Sequence, residues 1–504
     1  MNSVIRLFEY NQDNPLYFTK IYFWIFFFVV LLIYSILYKR KATRNAYLFL
    51  ISLFFYYKSG GIFFLLLIFS ILSDYTLGHL IYQAKRKMLK KTYVALSVMI
   101  NLLLLSYFKY AEFFTNLVND IFHTRFETVD IFASWSNQFL GTHFNVSEII
   151  LPVGISFFTF QTISYTVDIY RNKVKPISNI FDFGFYVSFF PQLVAGPIVR
   201  ASEFVPQLYN DYRLSKSELG HALFLILAGL FKKMIISDYI SINFVDRVFQ
   251  SPLTYSGFEN LMALYGYSLQ IYCDFSGYTD IAIGVAMTLG FRLPLNFNSP
   301  YKAVNLTDFW RRWHISLSKW LRDYLYIPLG GNRKGKLRRH INIFVTMVLG
   351  GLWHGAKWHF VIWGAIHGAG LIIQKLMTSM IPTKLQQNHV YRFLSIFITF
   401  HVVTFGWAFF RAKNFDEAIT MLSQIIYQFN FSNILNVLAG YGNITILLVI
   451  GFVSHWTPYT WQEKFRGFFI HTPLWVKGLI IILFFILIYQ FQSTELQPFI
   501  YFQF

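Results

Sequence analysis

The segment Tyr17–Tyr38, YFTKIYFWIFFFVVLLIYSILY, decides the class of fold to which this 504-residue chain belongs. Lys20 is its one charged side chain, and the segment exceeds the roughly 20 residues that a helix needs to cross about 30 Å of hydrocarbon. We therefore predict a membrane span. Comparable apolar runs, several of them too short or too broken to cross alone, follow at Ala46–Tyr57, Ile62–Tyr82, Tyr93–Tyr110, Ile149–Tyr170, Phe181–Val199, Leu219–Ile236, Leu261–Leu289, Ile341–Leu352, Phe360–Leu376, Phe393–Phe410, Ile444–Val453 and Val476–Tyr489.

The composition agrees with this interpretation. Hydrophobic residues make up 55% of the chain, aromatic residues 21% and charged residues only 13%, and the mean hydropathy is +0.46. A chain of this length cannot hide so much apolar surface in one soluble core. We predict an all-α, polytopic integral membrane protein with ten to twelve transmembrane helices.

One apolar run is interrupted in a way that a simple crossing would not tolerate. Phe190–Pro197, FPQLVAGP, contains two prolines and a glycine, which leave backbone groups without helical partners. Lipid cannot satisfy such groups, so irregular backbone at membrane depth must be buried in protein or line a polar cavity. We predict that this segment re-enters the bundle or lines a polar cavity inside it.

The net charge is +19, and the largest basic block, with ten Lys or Arg residues against two acidic ones, lies between residues 302 and 339. The excess of cations fits two explanations: the bias of cytoplasmic loops towards Lys and Arg, or recognition of an anionic cytoplasmic donor. Six aromatic residues interleave with these charges between Phe309 and Tyr326, which favours recognition. Nucleic acid is a poor candidate, because no nucleic-acid module is present. The basic residues are Lys302, Arg311, Arg312, Lys319, Arg322, Arg333, Lys334, Lys336, Arg338 and Arg339.

Neither a disulfide framework nor a metal site is expected. Cys273 is the one cysteine, and its apolar setting favours core packing over a catalytic thiol. His354 and His359 are five positions apart, which lacks the i, i+4 spacing of a helical zinc pair. For His359 and His367 we expect satisfied buried or interfacial histidines.

Two other histidines lie in settings that suggest chemistry. His314 occurs in FWRRWHIS (309–316) and His354 in GGLWHGA (350–356), and each is next to a tryptophan. Ionisable side chains in membrane segments are costly and mark functional sites. The glycines around His354 should let the backbone leave the helix and a ligand approach closely. Imidazole titrates near pH 6.5, so His354 is suited to act as a general base.

These motifs resemble the membrane-bound O-acyltransferase (MBOAT) family. The resemblance is to its bacterial AlgI/DltB-like branch, the alginate O-acetylation and teichoic-acid D-alanylation type, and it covers most of residues 47–411. It also includes LPVGISF (151–157) and VAGPI (194–198). The remaining segments that carry it are YCDFSGYTD (272–280), LPLNF (293–297), FWRRWHISLSK (309–319), WLRDYLYIPLGGNR (320–333) and GGLWHGA (350–356).

The resemblance implies a single membrane-embedded domain over residues 1–504, with a catalytic core segment at 150–410. It implies transmembrane, re-entrant and horizontal helices around a central tunnel, which an acyl thioester enters from the cytoplasm. It makes His354 the catalytic histidine and His314 the second one, which orients the donor or stabilises an oxyanion. The expected substrate-binding residues are Arg311, Arg312, Trp313, Ser316, Trp353, Asn305 and Asp274.

Asp274 and Asp280 are ionisable groups within or next to an apolar run. Six positions separate them, which points them about 240° apart around a helix. We expect them to hydrogen-bond within the bundle and line the tunnel wall, with a proton relay as the alternative.

The C-terminus carries a second resemblance. Phe499–Phe504, FIYFQF, is similar to the aromatic motif of the small membrane peptide that accompanies the D-alanylation system. By that analogy residues 495–504 form an acyl-relay-like motif, in which Tyr501 accepts the acyl group and passes it outward. The alternative is an interfacial aromatic anchor.

Together these features predict a multi-pass acyltransferase of the bacterial inner membrane. It would move acetyl from acetyl-CoA, with no bound cofactor, to a polysaccharide or peptidoglycan. A secreted or membrane-anchored SGNH-type acetyltransferase is the expected protein partner. The open alternatives are D-alanyl transfer from a carrier-protein thioester to a teichoic-acid-like polymer, a membrane channel or exporter, and a scaffold that only docks a partner.

Overall fold

The computed structural model describes residues 10–11, 15–140, 145–194, 196–491 and 499. Within these ranges every regular element is a helix, which confirms the predicted all-α class. The chain forms two compact units. The first comprises Met1–Val194, Ile198–Asp211 and Gly355–Lys357, and the second comprises Ala195–Pro197, Tyr212–His354 and Trp358–Phe504.

The first unit is built from short and medium-length helices, of which α7 packs against both α3 and α4. Its helices are α1 (Ile21–Leu37), α2 (Lys41–Gly60), α3 (Phe64–Gln83), α4 (Lys87–Leu105), α5 (Ala111–Phe122), α6 (Ile131–Leu140), α7 (Ile155–Tyr170), α8 (Ile180–Ser188), α9 (Phe190–Leu193) and α10 (Ala201–Leu208).

The second unit contains the longest helix, α13, and the pair α16 and α17 that carries His354. Its helices are α11 (Lys216–Leu230), α12 (Asp246–Gln250), α13 (Gly257–Thr288), α14 (Leu306–Arg312), α15 (Ile315–Trp320), α16 (Gly335–His354), α17 (Trp358–Met380), α18 (Thr383–Gln386), α19 (His389–Arg411), α20 (Phe415–Tyr427), α21 (Ile434–Gly440), α22 (Gly442–Trp456), α23 (Tyr459–His471) and α24 (Leu474–Phe491).

Several helices are suited to crossing a membrane, which confirms the polytopic class. Six segments of the described chain are long and apolar enough to cross, or seven if the bent pair α21 and α22 forms one crossing. The predicted total of ten to twelve transmembrane helices stays a prediction. Lys41–Gln83 itself holds two 20-residue helices, α2 and α3, separated at Gly61, and each is about 30 Å long. In the part of the chain that the structure describes, the six segments of sufficient length and apolarity are Lys41–Gln83, Lys87–Phe122, Lys216–Gln250, Trp358–Met380, His389–Arg411 and Leu474–Phe491.

The interrupted run near Phe190 does break, as its sequence indicates. Helix α8 ends at Ser188, and α9 is a single short turn, Phe190–Leu193, with Pro191 at its start. Proline is tolerated there because the first amide groups of a helix have no intrahelical acceptor. The described residues that follow, up to Arg200, are not helical. The break is therefore confirmed, and re-entry into the bundle stays a prediction.

A fully buried carboxylate organises the first unit. Asp74 on α3 accepts hydrogen bonds from Ser97 (2.6 Å) and Asn101 (2.8 Å), both on α4. Thr162 and Thr166 on α7 extend the cluster by bonding Asn101 (2.9 Å) and Ser97 (2.9 Å). Since hydrocarbon offers no hydrogen-bond partners, this network ties the three helices together from within.

Buried ion pairs join α11 to α13 in the second unit. A π-helical segment, Phe231–Asp238, continues α11 and directs two adjacent lysines at α13. Lys233 lies 2.5 Å from Asp274 and 2.7 Å from Asp238, and Lys232 lies 2.5 Å from Asp280. Both α13 aspartates are thus paired with cations inside the bundle, so the expected hydrogen-bonding role is confirmed, while lining of a tunnel and a proton relay stay untested.

We predict that Lys233→Met destabilises the protein more than Asp274→Asn. Loss of the lysine leaves Asp238 and Asp274 buried without their cation, and breaking a buried pair in this way costs about 3–5 kcal/mol. The Asp274→Asn variant keeps the Lys233–Asp238 pair, so its loss should be smaller. Thermal unfolding in detergent, followed by size-exclusion chromatography, measures both. Equal losses would contradict the assigned pairing.

Candidate active site

His314 is held in an unusual backbone conformation between α14 and α15. Its φ is +41°, in the left-handed region that side chains other than glycine seldom adopt, and it precedes the first residue of α15. The side chain is completely buried. Its ring meets Phe275 of α13 edge-on, with 4.7 Å between the centroids. Both the backbone and the neighbouring ring therefore fix the direction of this imidazole.

Asn296 fixes which nitrogen of His314 carries the proton. Its Oδ1 lies 3.2 Å from His314 Nδ1 and also accepts from the backbone N–H (3.2 Å) and hydroxyl (2.9 Å) of Ser316. The Ser316 amide can only donate, so the atom facing it is the amide oxygen, and His314 Nδ1 must donate as well. Burial lowers the pKa of His314 to about 3, so the ring is neutral near pH 7. In a neutral ring with Nδ1–H, the lone pair is on Nε2.

His354 is the last residue of α16 and is 3% exposed. Three aromatic rings surround it: Trp353 at 5.0 Å, Trp363 of α17 at 5.2 Å and Phe410 of α19 at 5.3 Å between centroids. Trp353 also contacts His314, at 6.1 Å. The structure thus places the two histidines singled out in the sequence analysis next to one indole, and the predicted substrate-binding role of Trp353 stays a prediction.

The glycines around His354 fall into two groups. Helix α16 is continuous through Gly350 and Gly351 to His354, contrary to our expectation, whereas Gly355 is not helical and the backbone leaves the helix there, as expected. A Cβ on Gly351 would collide with the carbonyl oxygen of Phe360, and it would lie 3.1 Å from Gly364 Cα. Small residues let two helices approach to backbone contact. Gly351 therefore lets α16 pack closely on α17, the helix that carries Trp363.

The two remaining histidines of this region differ from each other. His359 is satisfied as expected, because its Nδ1 lies 3.0 Å from the carbonyl oxygen of Phe409. For His367 the expectation was wrong: it is 1% exposed, yet neither ring nitrogen has a hydrogen-bond partner among the residues that the structure describes. No cluster of His, Cys, Asp or Glu suited to a metal ion occurs in the same part of the chain.

Two of the predicted substrate-binding residues have structural contacts of their own. The Asn305 side chain caps α14 by accepting from the Asp308 amide at 2.8 Å. Arg312 pairs with Asp308 at 3.0 Å, one turn earlier on the same helix. N-capping accounts for an asparagine at the position before the helix, and substrate binding by Asn305 stays a prediction. Arg311, in contrast, is exposed.

Trp313 and Asp274 also have structural contacts, and their predicted substrate-binding role stays a prediction. Trp313 is 1% exposed and packs against Phe309 and Trp407 in the core. Asp274 is held by Lys233. Ser316 does join the site, through Asn296. Cys273 is buried, which confirms its core position.

Tyr501 lies outside the described residues, but Phe499, two positions earlier, does not. Phe499 is 2% exposed, and its ring contacts Phe275 at 5.4 Å and Tyr278 at 4.9 Å. Phe275 is the residue that meets His314 edge-on. The C-terminal aromatic motif therefore has one member packed next to the neighbour of His314.

Several site residues were not singled out by the sequence analysis. Asn296 lies within the quoted segment LPLNF, where an amide between apolar residues is the signal that could have pointed to it. Phe275, Trp363 and Phe410 carried no such signal, because an aromatic side chain in a membrane helix is usual. Their role follows only from which helices meet.

Comparison with known proteins identifies the family. Residues 170–412 match the model of the MBOAT, membrane-bound O-acyltransferase family. The peptidoglycan O-acetyltransferase of Helicobacter pylori is 37% identical over 383 residues, which cover 71% of this chain and 69% of the relative. The probable alginate O-acetylase AlgI of Pseudomonas aeruginosa is 41% identical over 333 residues, 65% of this chain and 59% of the relative.

A third relative is a D-alanyltransferase. The teichoic acid D-alanyltransferase of Bacillus subtilis is 30% identical over 289 residues, which cover 55% of this chain and 72% of that protein. The family match spans both His314 and His354, and all three relatives are similar over more than half of this chain. This chain therefore belongs to the membrane-bound O-acyltransferase family, as a multi-pass membrane acyltransferase of the AlgI/DltB-like branch.

Proposed function

We propose that this acyltransferase moves acetyl from cytoplasmic acetyl-CoA to hydroxyl groups of a cell-surface polysaccharide or peptidoglycan. The observation that carries the proposal is the arrangement of His314 and His354 against the shared indole of Trp353, inside a buried aromatic shell. Two imidazoles that share one indole neighbour in a buried aromatic setting suit acyl transfer, because exclusion of water from the site prevents hydrolysis of the thioester. The proposed location is the bacterial inner membrane.

Acetyl is favoured over D-alanyl by the relatives. The proteins at 37% and 41% identity are named for O-acetylation, whereas the D-alanyltransferase is 30% identical. D-alanyl transfer from a carrier-protein thioester to a teichoic-acid-like polymer is the second candidate function, and the B. subtilis relative is the observation in its favour. Both reactions start from a thioester and use the same kind of site.

His354 acts as the general base in this proposal. It removes the proton from an acceptor hydroxyl as that oxygen attacks the thioester carbonyl. The tetrahedral intermediate collapses, the C–S bond breaks, and the proton passes from His354 to the thiolate that leaves as CoA. The position of His354 at the C-terminus of α16 suits the transient imidazolium, because the negative end of the helix dipole stabilises a cation.

His314 orients the acceptor hydroxyl in this proposal and does not stabilise the oxyanion. Because its Nδ1–H is used by Asn296, Nε2 of the neutral ring accepts a hydrogen bond and cannot donate one. An oxyanion needs a donor, so this tautomer suits a hydroxyl proton better than a developing negative charge. We therefore assign Asn296 as a positioning residue that acts through His314.

Tyr501 is proposed as the first acceptor. Its phenolic oxygen would take acetyl from the thioester as an aryl ester, releasing CoA thiol, and would then lose acetyl to a second hydroxyl and recover its proton. The contact of Phe499 with Phe275 supports this step, because two residues of extended chain span up to about 7 Å beyond Phe499. An extracytoplasmic SGNH-type acetyltransferase is the proposed recipient that delivers acetyl to the glycan.

We predict that His354→Ala abolishes acetyl transfer in membrane vesicles supplied with labelled acetyl-CoA. Loss of a positioned general base should lower the rate by about 10²- to 10⁴-fold, while insertion and elution volume in detergent stay unchanged. His359→Gln is the matched control, since that histidine bonds backbone, and it should lose stability more than activity. Unimpaired glycan modification in the His354→Ala variant would refute an enzymatic role and favour an exporter.

We predict that Asn296→Leu lowers kcat at least about tenfold with little change in the KM for acetyl-CoA, because His314 loses the partner that sets its tautomer. In Asn296→Asp the carboxylate should raise the pKa of His314 above its value of about 3. Activity needs the neutral ring and is lost as the pH falls through this pKa, so the acid limb of the pH–rate profile should move to higher pH.

The control for these variants is Asn342→Leu, which removes another buried amide, one that donates to the Gly331 carbonyl away from His314. It should leave the pH profile unchanged. A profile of Asn296→Asp that coincides with that of the unmodified protein would show that Asn296 does not act through His314.

We predict that Tyr501→Phe stops transfer to the glycan, because it removes the attacking oxygen and keeps the aromatic ring. Mass spectrometry of the C-terminal peptide should find an acetyl adduct on Tyr501 only when acetyl-CoA is present. Tyr489→Phe, an exposed tyrosine of α24, is the control and should retain activity. Glycan acetylation without any label on Tyr501 or on the protein partner would exclude the relay.

A further inference from the structure

An open cavity of about 360 Å³ lies in the first unit, and the reaction proposed above does not use it. One wall is the loop between α7 and α8, residues 173–178. The other wall is one face of the short helix α10, Ala201–Leu208, together with Tyr209. Both walls belong to the same compact unit, and neither contains a residue of the candidate active site.

The cavity carries an excess of positive charge. Lys173 and Lys175 both line it and are exposed, and the described lining residues include no Asp or Glu. Lys173 lies 3.6 Å from Asp168, which makes a loose ion pair. Lys175 forms no ion pair within the described ranges. The lining is therefore suited to an anion.

Hydroxyl groups and apolar side chains complete the lining. Ser178 of the loop and Ser202 of α10 contribute hydroxyl groups, which can donate to the oxygens of an anion. The rest is mainly apolar, and Val174, Ile177 and Val205 are among its members. A purely ionic ligand gains nothing from such a surface, whereas an anion attached to an apolar group covers it. The lining thus suits an amphipathic anion.

The loop wall is fixed close to the end of a membrane helix. Tyr75 of α3 donates to the Ser178 carbonyl at 2.6 Å, and His79 Nε2 lies 3.1 Å from the Ile177 carbonyl oxygen. Helix α3 ends at Gln83, between four and eight residues later, which corresponds to about 6–12 Å along the helix axis. The loop therefore lies in the last turns of that helix, near the boundary of the hydrocarbon.

The other wall is fixed at the start of a second membrane helix. Arg44, in the first turn of α2, donates to the carbonyl oxygens of Leu208 (2.5 Å) and Asn210 (3.1 Å), where α10 ends. Lys41, the first residue of α2, lies 2.9 Å from Asp211. Each wall is thus held by an end of a membrane helix, which is the level of the lipid headgroups.

The two helix ends share one side of the membrane. The basic stretch KRKATR (39–44) leads into α2, and KRKMLKK (85–91) follows α3. An excess of Lys and Arg marks cytoplasmic loops, so we assign both ends to the cytoplasmic side. Anionic phospholipids give this leaflet a negative surface, to which lysines are attracted.

We infer that the cavity binds the headgroup phosphate of an anionic phospholipid from the cytoplasmic leaflet. Lys173 and Lys175 pair with the phosphate, and Ser178 and Ser202 donate to its oxygens. The apolar part of the lining covers the glycerol backbone and the first methylene groups of the lipid. The bound lipid joins the loop of residues 173–178 to α10. This site concerns a structural lipid, so it is independent of which acyl group the protein transfers.

The test measures lipid retention by the full-length protein in detergent, by native mass spectrometry and thermal unfolding. The probes are phosphatidylglycerol, which is anionic, and phosphatidylcholine, which has the same phosphate and no net charge. Glycerol 3-phosphate and coenzyme A represent soluble phosphates. Lys173→Gln/Lys175→Gln removes both cations, and Lys85→Gln/Lys87→Gln is the matched control, with two exposed lysines removed from the same side of the membrane.

The unmodified protein should bind one phosphatidylglycerol at least about tenfold more tightly than phosphatidylcholine, with a higher unfolding temperature in its presence. Lys173→Gln/Lys175→Gln should weaken this binding at least about tenfold, because each lysine near the surface contributes about fivefold. The control pair should stay within about threefold of the unmodified protein.

A further variant separates a defined site from general surface charge. Val205→Trp fills the cavity and keeps both lysines, so it should also weaken phosphatidylglycerol binding at least about tenfold, with an unchanged elution volume. Equal weakening by the two lysine pairs, or unimpaired binding in Val205→Trp, would show attraction to the surface alone and overturn the inference. Displacement of the lipid by coenzyme A or glycerol 3-phosphate would overturn it in favour of a site for soluble phosphates.

Discussion

Hydrocarbon cannot form hydrogen bonds, and this constraint governs the polar side chains inside the membrane-spanning helices of the protein. A polar group in a membrane helix must find its partner inside the protein or lower the stability of the fold. Asp74 finds Ser97 and Asn101, and Lys233 finds two aspartates. These contacts hold particular pairs of helices together. Apolar packing alone gives little preference for one helix neighbour over another, because lipid is as apolar as the helix surfaces. Polar residues are few here, so each carries more structural information than it would in a soluble protein.

The class of fold and the two histidines could be predicted because both depend on local sequence. Composition and the length of apolar runs are sufficient for an all-α membrane protein, since no other arrangement buries so much hydrophobic surface. His314 and His354 stand out because imidazole is costly in an apolar run. The family assignment likewise rests on contiguous motifs, which a single chain displays in full.

The partners of those residues could not be predicted, because they come from helices distant in the sequence. The His314 neighbour Phe275 is on α13, and the His354 neighbour Phe410 is on α19. The same limit explains our error at Gly351, which was expected to free the backbone from the helix and instead brings α16 into contact with α17. Local sequence indicates that a residue is unusual for its setting, whereas tertiary contacts decide which structural or functional role it has.

The contact of Gly351 with Gly364 also limits how this site can move. Where two backbones touch, the helices cannot slide or separate without losing van der Waals contact along their length, so α16 and α17 behave as one rigid hairpin. Trp353, His354, Trp363 and His367 all belong to that hairpin and keep their spacing. Separation of α16 from α17 is therefore not a route by which the histidines become accessible. A substrate must therefore adapt to the spacing of these side chains, because the hairpin cannot adapt to the substrate.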